Sequence, residues 1–138
     1  VQARWYVLGE GELREVLQRQ INRLGLEKDF LLLGAVENPY PYYAQCDLYV
    51  HATRFEGKSI AVQEAKILGC PILVSDCNGN REQVKDGVDG SVCALTPESV
   101  STKIEELLEN EKQREIYGCR SAEALLMEKP DIKSMFWN

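Results

Sequence analysis

The chain has 138 residues, 44% of them hydrophobic and 28% charged, a composition that suits one globular domain large enough for a real core. Its net charge of -6 argues against a nucleic-acid partner, because binding a phosphate backbone needs a basic face. No apolar run approaches the length of a membrane span, and the opening "VQARWYVLGEG" lacks the basic region and apolar run of a signal peptide.

That opening reads as a strand already under way, so the chain is expected to be cut from a longer one. "RWYVLG" (4–9) is the first predicted strand. Leu13, Val16, Leu17, Ile21 and Leu24 then mark one face of a helix, and Gly25 suits its cap. "FLLLG" (30–34) is a continuous apolar run of the kind a buried parallel strand shows. "NPYPYY" begins a turn and a short helix, followed by the strand "DLYVHA" (47–52). A helix from about Ser59 to Leu68 leads through Gly69 into the strand "PILVS" (71–75). After the loop "DCNGN" come a short helical piece, turn chemistry at "DGVDG" and a strand at "SVCAL".

Thr96 followed by Pro97 is an N-cap with proline at the first helical position. Val100, Ile104, Leu107 and Leu108 continue that helix, and another runs from about Lys112 to Met127. Phe136 and Trp137 in the tail read as exposed. No repeat, low-complexity run or linker interrupts the order. Strands alternating with helices predict an α/β fold, a doubly wound parallel sheet covered on both faces. In such sheets ligands bind beyond the carboxyl ends of the strands.

Cys46, Cys70, Cys77, Cys93 and Cys119 form no close pair in sequence, so they read as reduced core thiols of a cytosolic protein. His51 is the single histidine, which excludes metal sites built from several. At the end of a buried strand it reads as a structural, hydrogen-bonded residue. "LGEGELR" (8–14) superficially suggests a dinucleotide fingerprint, but Arg14 replaces the third glycine and Glu10 and Glu12 would face a pyrophosphate. It reads as a plain strand-to-helix turn.

"RFEGKSIAVQEAKILGCPILVS" (54–75) is more informative. At about 100° per residue from Ile60, the residues Ile60, Ala61, Ala65, Ile67 and Leu68 fill one arc, with Val62 at its edge. Gln63 and Lys66 fall opposite, as the expected solvent stripe. Glu64 lands near the middle of the apolar arc, where a carboxylate is costly unless paired or hydrogen-bonded. Either backbone amides or an arginine satisfy it, or its oxygens accept from ligand hydroxyls. Glu56 follows the strand "DLYVHA" at its carboxyl end. Gly57 allows close backbone approach, and the N–H groups of Ser59, Ile60 and Ala61 form the positive end of the helix, suited to a diphosphate. A phosphate with sugar hydroxyls on either side would use all three features, as a nucleotide sugar does.

The same segment resembles the E-x7-E motif of retaining glycosyltransferases with the GT-B fold, specifically glycosyltransferase family 4. "YVLGEGELREVL", "LLLGAVENPYPYYAQCDLYVHAT" and "NGNREQVKDGVDGSV" extend the resemblance in family order over about 100 residues. It implies a Rossmann-like, carboxyl-terminal donor-binding half, with residues 1–138 as one nucleotide-sugar-binding domain. By that resemblance Glu56 contacts the donor sugar near the reacting carbon, and Glu64 holds the ribose hydroxyls. The Ile60 and Ala61 amides hold the diphosphate, and the backbone from Gly34 to Val36 meets the nucleobase. Lys58 and Ser59 stand where the family often has phenylalanine and glycine, and Thr53 replaces the usual serine.

The resemblance further implies a UDP- or GDP-linked donor, no metal and retention of anomeric configuration. It points to acceptors that are glycans or lipid-linked sugars of cell-surface polysaccharide synthesis, with the enzyme cytoplasmic or at the membrane's inner face. The family's basic pair, which neutralises the leaving diphosphate, and the amino-terminal acceptor half have no counterpart here, as if the first strand were missing. The expectation is a chain that binds nucleotide weakly and does not turn over by itself. Two other readings stand beside it: half of a nucleotide-sugar epimerase, and a non-catalytic α/β binding module. Around the motif, Asn78, Asn80, Arg81 and Glu82 read as a solvated loop, and Tyr40, Tyr42 and Tyr43 as packing.

Overall fold

A computed structural model describes residues 2–55 and 57–128, in two compact units that divide between Pro39 and Tyr40. Glu56 and the tail with Phe136 and Trp137 lie outside the described residues.

The first unit pairs β1 (Trp5–Leu8) with β2 (Phe30–Gly34) in parallel, Trp5 opposite Phe30 and Val7 opposite Leu32. The Trp5 and Phe30 rings stack with centroids 5.3 Å apart. Parallel pairing demands a crossover, supplied by α1 (Arg14–Arg23). Gly25 ends this helix as expected, at φ +70°, and the next amide, that of Leu26, donates back to Ile21 O at 3.0 Å. Of the apolar face read from the sequence, Ile21 is buried, whereas Leu13, Val16, Leu17 and Leu24 are exposed. A two-stranded sheet offers too little surface to cover the whole stripe.

The second unit is a parallel sheet in the order β3-β4-β5: β3 (Tyr49–His51), β4 (Ile72–Ser75) and β5 (Ser91–Cys93). Tyr49 pairs with Ile72, and Leu73 with Ser91. β4 is buried along its whole length, as its continuous apolar run requires. Its side chains alternate between two cores. Ile72 and Val74 pack with Val62 and Ala65 of α3 (Ile60–Ile67) and with Val84. Leu73 packs with Cys93, Leu107 of α5 (Pro97–Glu109) and Tyr117 of α6 (Glu111–Glu128). Each fully buried aliphatic side chain contributes roughly 1.5–3 kcal/mol, so the sheet is held from both sides. Thr96 caps α5 as expected, its Oγ1 accepting from Ser99 N at 3.1 Å.

The helical arc of α3 is displaced from the one the sequence suggests. Its buried residues are Val62, Ala65, Lys66 and Ile67, while Ile60 is 71% exposed. Lys66, expected in the solvent stripe, lies inside, with its Nζ 3.7 Å from Asp89 Oδ2 and donating to Gln83 O. A buried ammonium is tolerated when a carboxylate and a carbonyl receive it. α6 crosses the end of α3 closely enough that a Cβ on Gly118 would lie 2.4 Å from Gly69 O.

Two short elements complete the unit: α2 (Tyr40–Gln45) before β3, and α4 (Asn78–Gln83) after β4. All five cysteines are free thiols, and the Cys46 and Cys70 sulfurs are 3.7 Å apart.

Candidate functional site

The carboxyl ends of β3 and β4 meet the amino-terminal end of α3. Ser59 is the N-cap, extended at φ -75° and ψ 126°, and its Oγ accepts from Val62 N at 3.3 Å. The cap takes care of one of the helix's orphan donors. Ser59's own N–H, expected to face a ligand, instead donates to Gln83 Oε1 at 3.0 Å. Gln83 Nε2 donates in turn to Ser59 O at 3.0 Å. The Ile60 and Ala61 amides follow, at the first two helical positions, where no intrahelical acceptor exists. No other acceptor for them is found among the described residues. Two amides at a helix's positive end remain available to an anion.

Glu64 lies one turn further along α3, half-buried rather than in the middle of the core. Its partner is the Tyr43 hydroxyl, not an arginine. Burial pushes the carboxyl pKa above its ordinary value, and the bond from Tyr43 pulls it back in part. Tyr43 itself is pushed up to about 12, first by burial and then by the Glu64 charge. It also hydrogen-bonds Tyr49, whose hydroxyl lies 3.0 Å from His51 Nδ1. The Tyr49 and His51 rings stack, centroids 5.9 Å apart. His51 thus has the structural partner expected of it, and Tyr43 both packs and holds Glu64.

Gly57 and Lys58 are exposed in the loop before Ser59. Gly57 lines an open hollow of about 360 Å³ with Phe55, Cys77 and Asn78, and Phe55 is 92% exposed. In the first unit, Gly34 takes φ +76° at the end of β2, and its carbonyl accepts from Gly9 N at 2.7 Å. A Cβ there would lie 2.6 Å from Glu10 Oε1, the far end of an exposed side chain that can move aside, so it is the positive φ that favours glycine. Val36 is half-buried.

Asn80 and Gln83, on one face of α4, are the residues that the sequence reading missed. Asn80 is fully buried, contrary to the solvated loop expected, and its Nδ2 donates to Ser75 O at 2.9 Å. Their spacing of three residues on a short helix is the one signal present, and it does not separate two buried amides from two solvated ones. Among the described residues no three His, Cys, Asp or Glu side chains gather as a metal site, and no helix is long and apolar enough to cross a membrane.

Comparison with known proteins places this geometry in a family. A 4-alpha-N-acetylgalactosaminyltransferase from Campylobacter jejuni, which acts on an undecaprenol-diphosphate-linked sugar by its name, is 35% identical over 113 residues. The match takes in 80% of this chain and 31% of that protein. An Escherichia coli UDP-Gal:alpha-D-GlcNAc-diphosphoundecaprenol alpha-1,3-galactosyltransferase is 33% identical over 90 residues, covering 64% of this chain and 23% of the relative. The chain therefore spans a third or less of the length of these relatives.

Among solved structures, Anabaena Alr3699/HepE in complex with UDP superposes with a TM-score of 0.85 at 20% identity. That match covers 96% of this chain and 40% of the other. The complex of the same protein with UDP-glucose superposes at 0.80 with 25% identity, over 88% of this chain and 35% of the other. The fold is the α/β, Rossmann-like one of GT-B glycosyltransferase structures. The family of glycosyl transferases group 1 matches residues 1–123, and the chain belongs to it.

Proposed function

We propose that this chain is the donor-binding part of a retaining glycosyltransferase of family 4. The observation that carries the reading is the start of α3, where the Ile60 and Ala61 amides have no acceptor among the described residues and Glu64 follows one turn on. A sugar-linked nucleoside diphosphate offers those amides its phosphates and offers Glu64 its ribose hydroxyls. Glu56 addresses the donor sugar near the reacting carbon, and the Gly34–Val36 backbone meets the base. Amide dipoles already aimed at the diphosphate stabilise the charge that develops as it leaves, without a metal. UDP complexes of a similar fold favour a uridine donor over a guanosine one.

The full enzyme transfers a hexose-type sugar to a glycan or lipid-linked acceptor in cell-surface polysaccharide synthesis, at the cytoplasmic face of the membrane. The undecaprenol-linked substrates named for two relatives support that acceptor class. The 138 residues by themselves bind nucleotide but do not transfer sugar. Titration of the chain with UDP, GDP and ADP, followed by amide shifts, tests the reading. Shifts centred on residues 57–64 with one nucleotide support it. No shift there with any of the three at millimolar concentration would refute it.

A further inference from the structure

Two backbone clamps flank the loop between β3 and α3, and both are built from the segment that follows. At one end, the Ser75 hydroxyl donates to Thr53 O at 2.6 Å and accepts from Thr53 N at 2.8 Å. At the other, the Gln83 amide accepts from Ser59 N and donates to Ser59 O, both at 3.0 Å. Each clamp fixes the N–H and the C=O of a single residue, so it constrains that residue's orientation as well as its position. Both clamping side chains are buried, Ser75 to 1% exposure and Gln83 to 6%. Asn80 Nδ2 braces Ser75 through its carbonyl at 2.9 Å and its hydroxyl at 3.3 Å. Lys66 Nζ, held by Asp89, donates to Gln83 O and braces the other clamp. The five residues between the clamps, 54–58, include Glu56.

We infer that Gln83 is a positioning residue of the diphosphate site, with Ser75 its counterpart at the far end of the loop. Gln83 does not touch the phosphates. It occupies the one amide of the helix start that would otherwise swing toward them, and it holds Ser59 extended so that the next two amides point outward together. Two fixed donors bind an anion more tightly than two that must be ordered on binding. The inference rests on the donor-binding reading above, and its test separates the two.

UDP and uridine are titrated into the wild-type chain and into Gln83→Leu, with the Glu64 amide shift as the readout for both ligands and the Ile60 and Ala61 shifts as the report of phosphate contact. Loss of the clamp weakens UDP about tenfold, the equivalent of two ordinary hydrogen bonds, and leaves uridine unchanged. Partial unfolding of the variant lowers both apparent affinities by the same factor, so the UDP-to-uridine ratio isolates the positioning effect. Gln83→Met, which keeps the length and the neutral charge and loses both hydrogen bonds to Ser59, serves as the second variant and moves the ratio the same way. An unchanged ratio in both variants, with wild-type shifts intact, would overturn the inference alone. Absence of UDP shifts at Ile60 and Ala61 in the wild-type chain would overturn the donor-binding reading and this inference with it.

Discussion

Two strand-to-helix turns in this chain look alike in sequence and differ in what stands behind them. The turn after β1 has the glycine spacing of a phosphate loop, Gly9 and Gly11 ahead of α1. Leu13 is the N-cap of its helix and makes no side-chain cap hydrogen bond, and Arg14 N is taken up by Gly11 O at 3.2 Å. Glu10 and Glu15 set carboxylates around it, and Glu10 is already occupied by Arg14. The turn after β3 has a single glycine, yet its helix is capped by Ser59 and clamped by a buried glutamine. A glycine pattern only permits a phosphate to approach. What makes an anion site is a pair of unsatisfied amides held still by buried polar groups.

The largest effect that would break this contrast lies at Lys66. Its Nζ and the Asp89 carboxylate are both nearly inaccessible, with side-chain exposures of 7% and 6%. Lys66→Met keeps the length and loses the charge, leaving Asp89 buried beside an unsatisfied Gln83 carbonyl. The expected cost is about 3–5 kcal/mol in urea unfolding. A cost under about 1 kcal/mol would mean that the pair is solvated and that the support behind α3 is weaker than its burial implies.

Ile60→Pro sharpens the contrast at the site itself. Proline is well suited to the first helical position, and Ser59 already has the extended backbone that a following proline requires. Ile60 is 71% exposed, so little packing is lost. What disappears is one N–H aimed at the phosphate, worth about 1.5–3 kcal/mol as a bond to a charged group. Calorimetry is expected to show UDP weakened by that amount with uridine unaffected. Equal affinity for UDP in the variant and the wild type would remove the amides from the site.

A smaller effect follows from Glu64. Its carboxyl pKa is raised in the folded chain, chiefly by burial, so the folded state holds the proton more tightly than the unfolded chain does. The sign follows from linkage: stability from this group is greatest in acid and falls as the pH rises from the ordinary carboxyl range through the raised value. Ligand binding runs the other way, because ribose hydroxyls need an ionised acceptor. Uridine, which has no phosphate to titrate, is expected to lose about half its affinity at the carboxyl's midpoint on acidification. In Glu64→Gln that pH dependence should vanish; its persistence would assign the titration to another group.

Much of the second unit was legible in the sequence, because the local signals agree with the packing there. The apolar run at β4 is buried on both faces, and the Ser59 and Thr96 caps form as read. The arc of α3 misled, because a helical wheel treats all turns as equally deep. Ile60, at the first position of α3, is 71% exposed although Val62 two residues on is fully buried against β4, and the buried stripe extends to Lys66. Lys66 is buried because of Asp89, 23 positions away in a different turn, which no local pattern encodes. Asn80 and Gln83 were equally hidden, since a buried amide and a solvated one have the same residue type. Their partners, Ser75 and the Ser59 backbone, become visible only when β4 and the helix after it are placed.

The smallest effect is expected at the turn that the glycines made look important. Arg14 pairs with Glu10 four residues before it, and their side chains are 42% and 53% exposed. Arg14 Nη2 also reaches Leu32 O at 3.3 Å, a long contact at the surface. Two long, solvated side chains lose rotamer freedom to make such a pair, and salt screens what they gain. Arg14→Ala should therefore cost no more than about 1 kcal/mol, and less as salt is raised. A loss comparable to that of Lys66→Met would show that Arg14 and Glu10 hold the left-handed backbone at Gly34 rather than merely lying over it. In that case rigidity at this turn would come from its ion pair, and the distinction between a buried clamp and an exposed one would no longer separate the two turns.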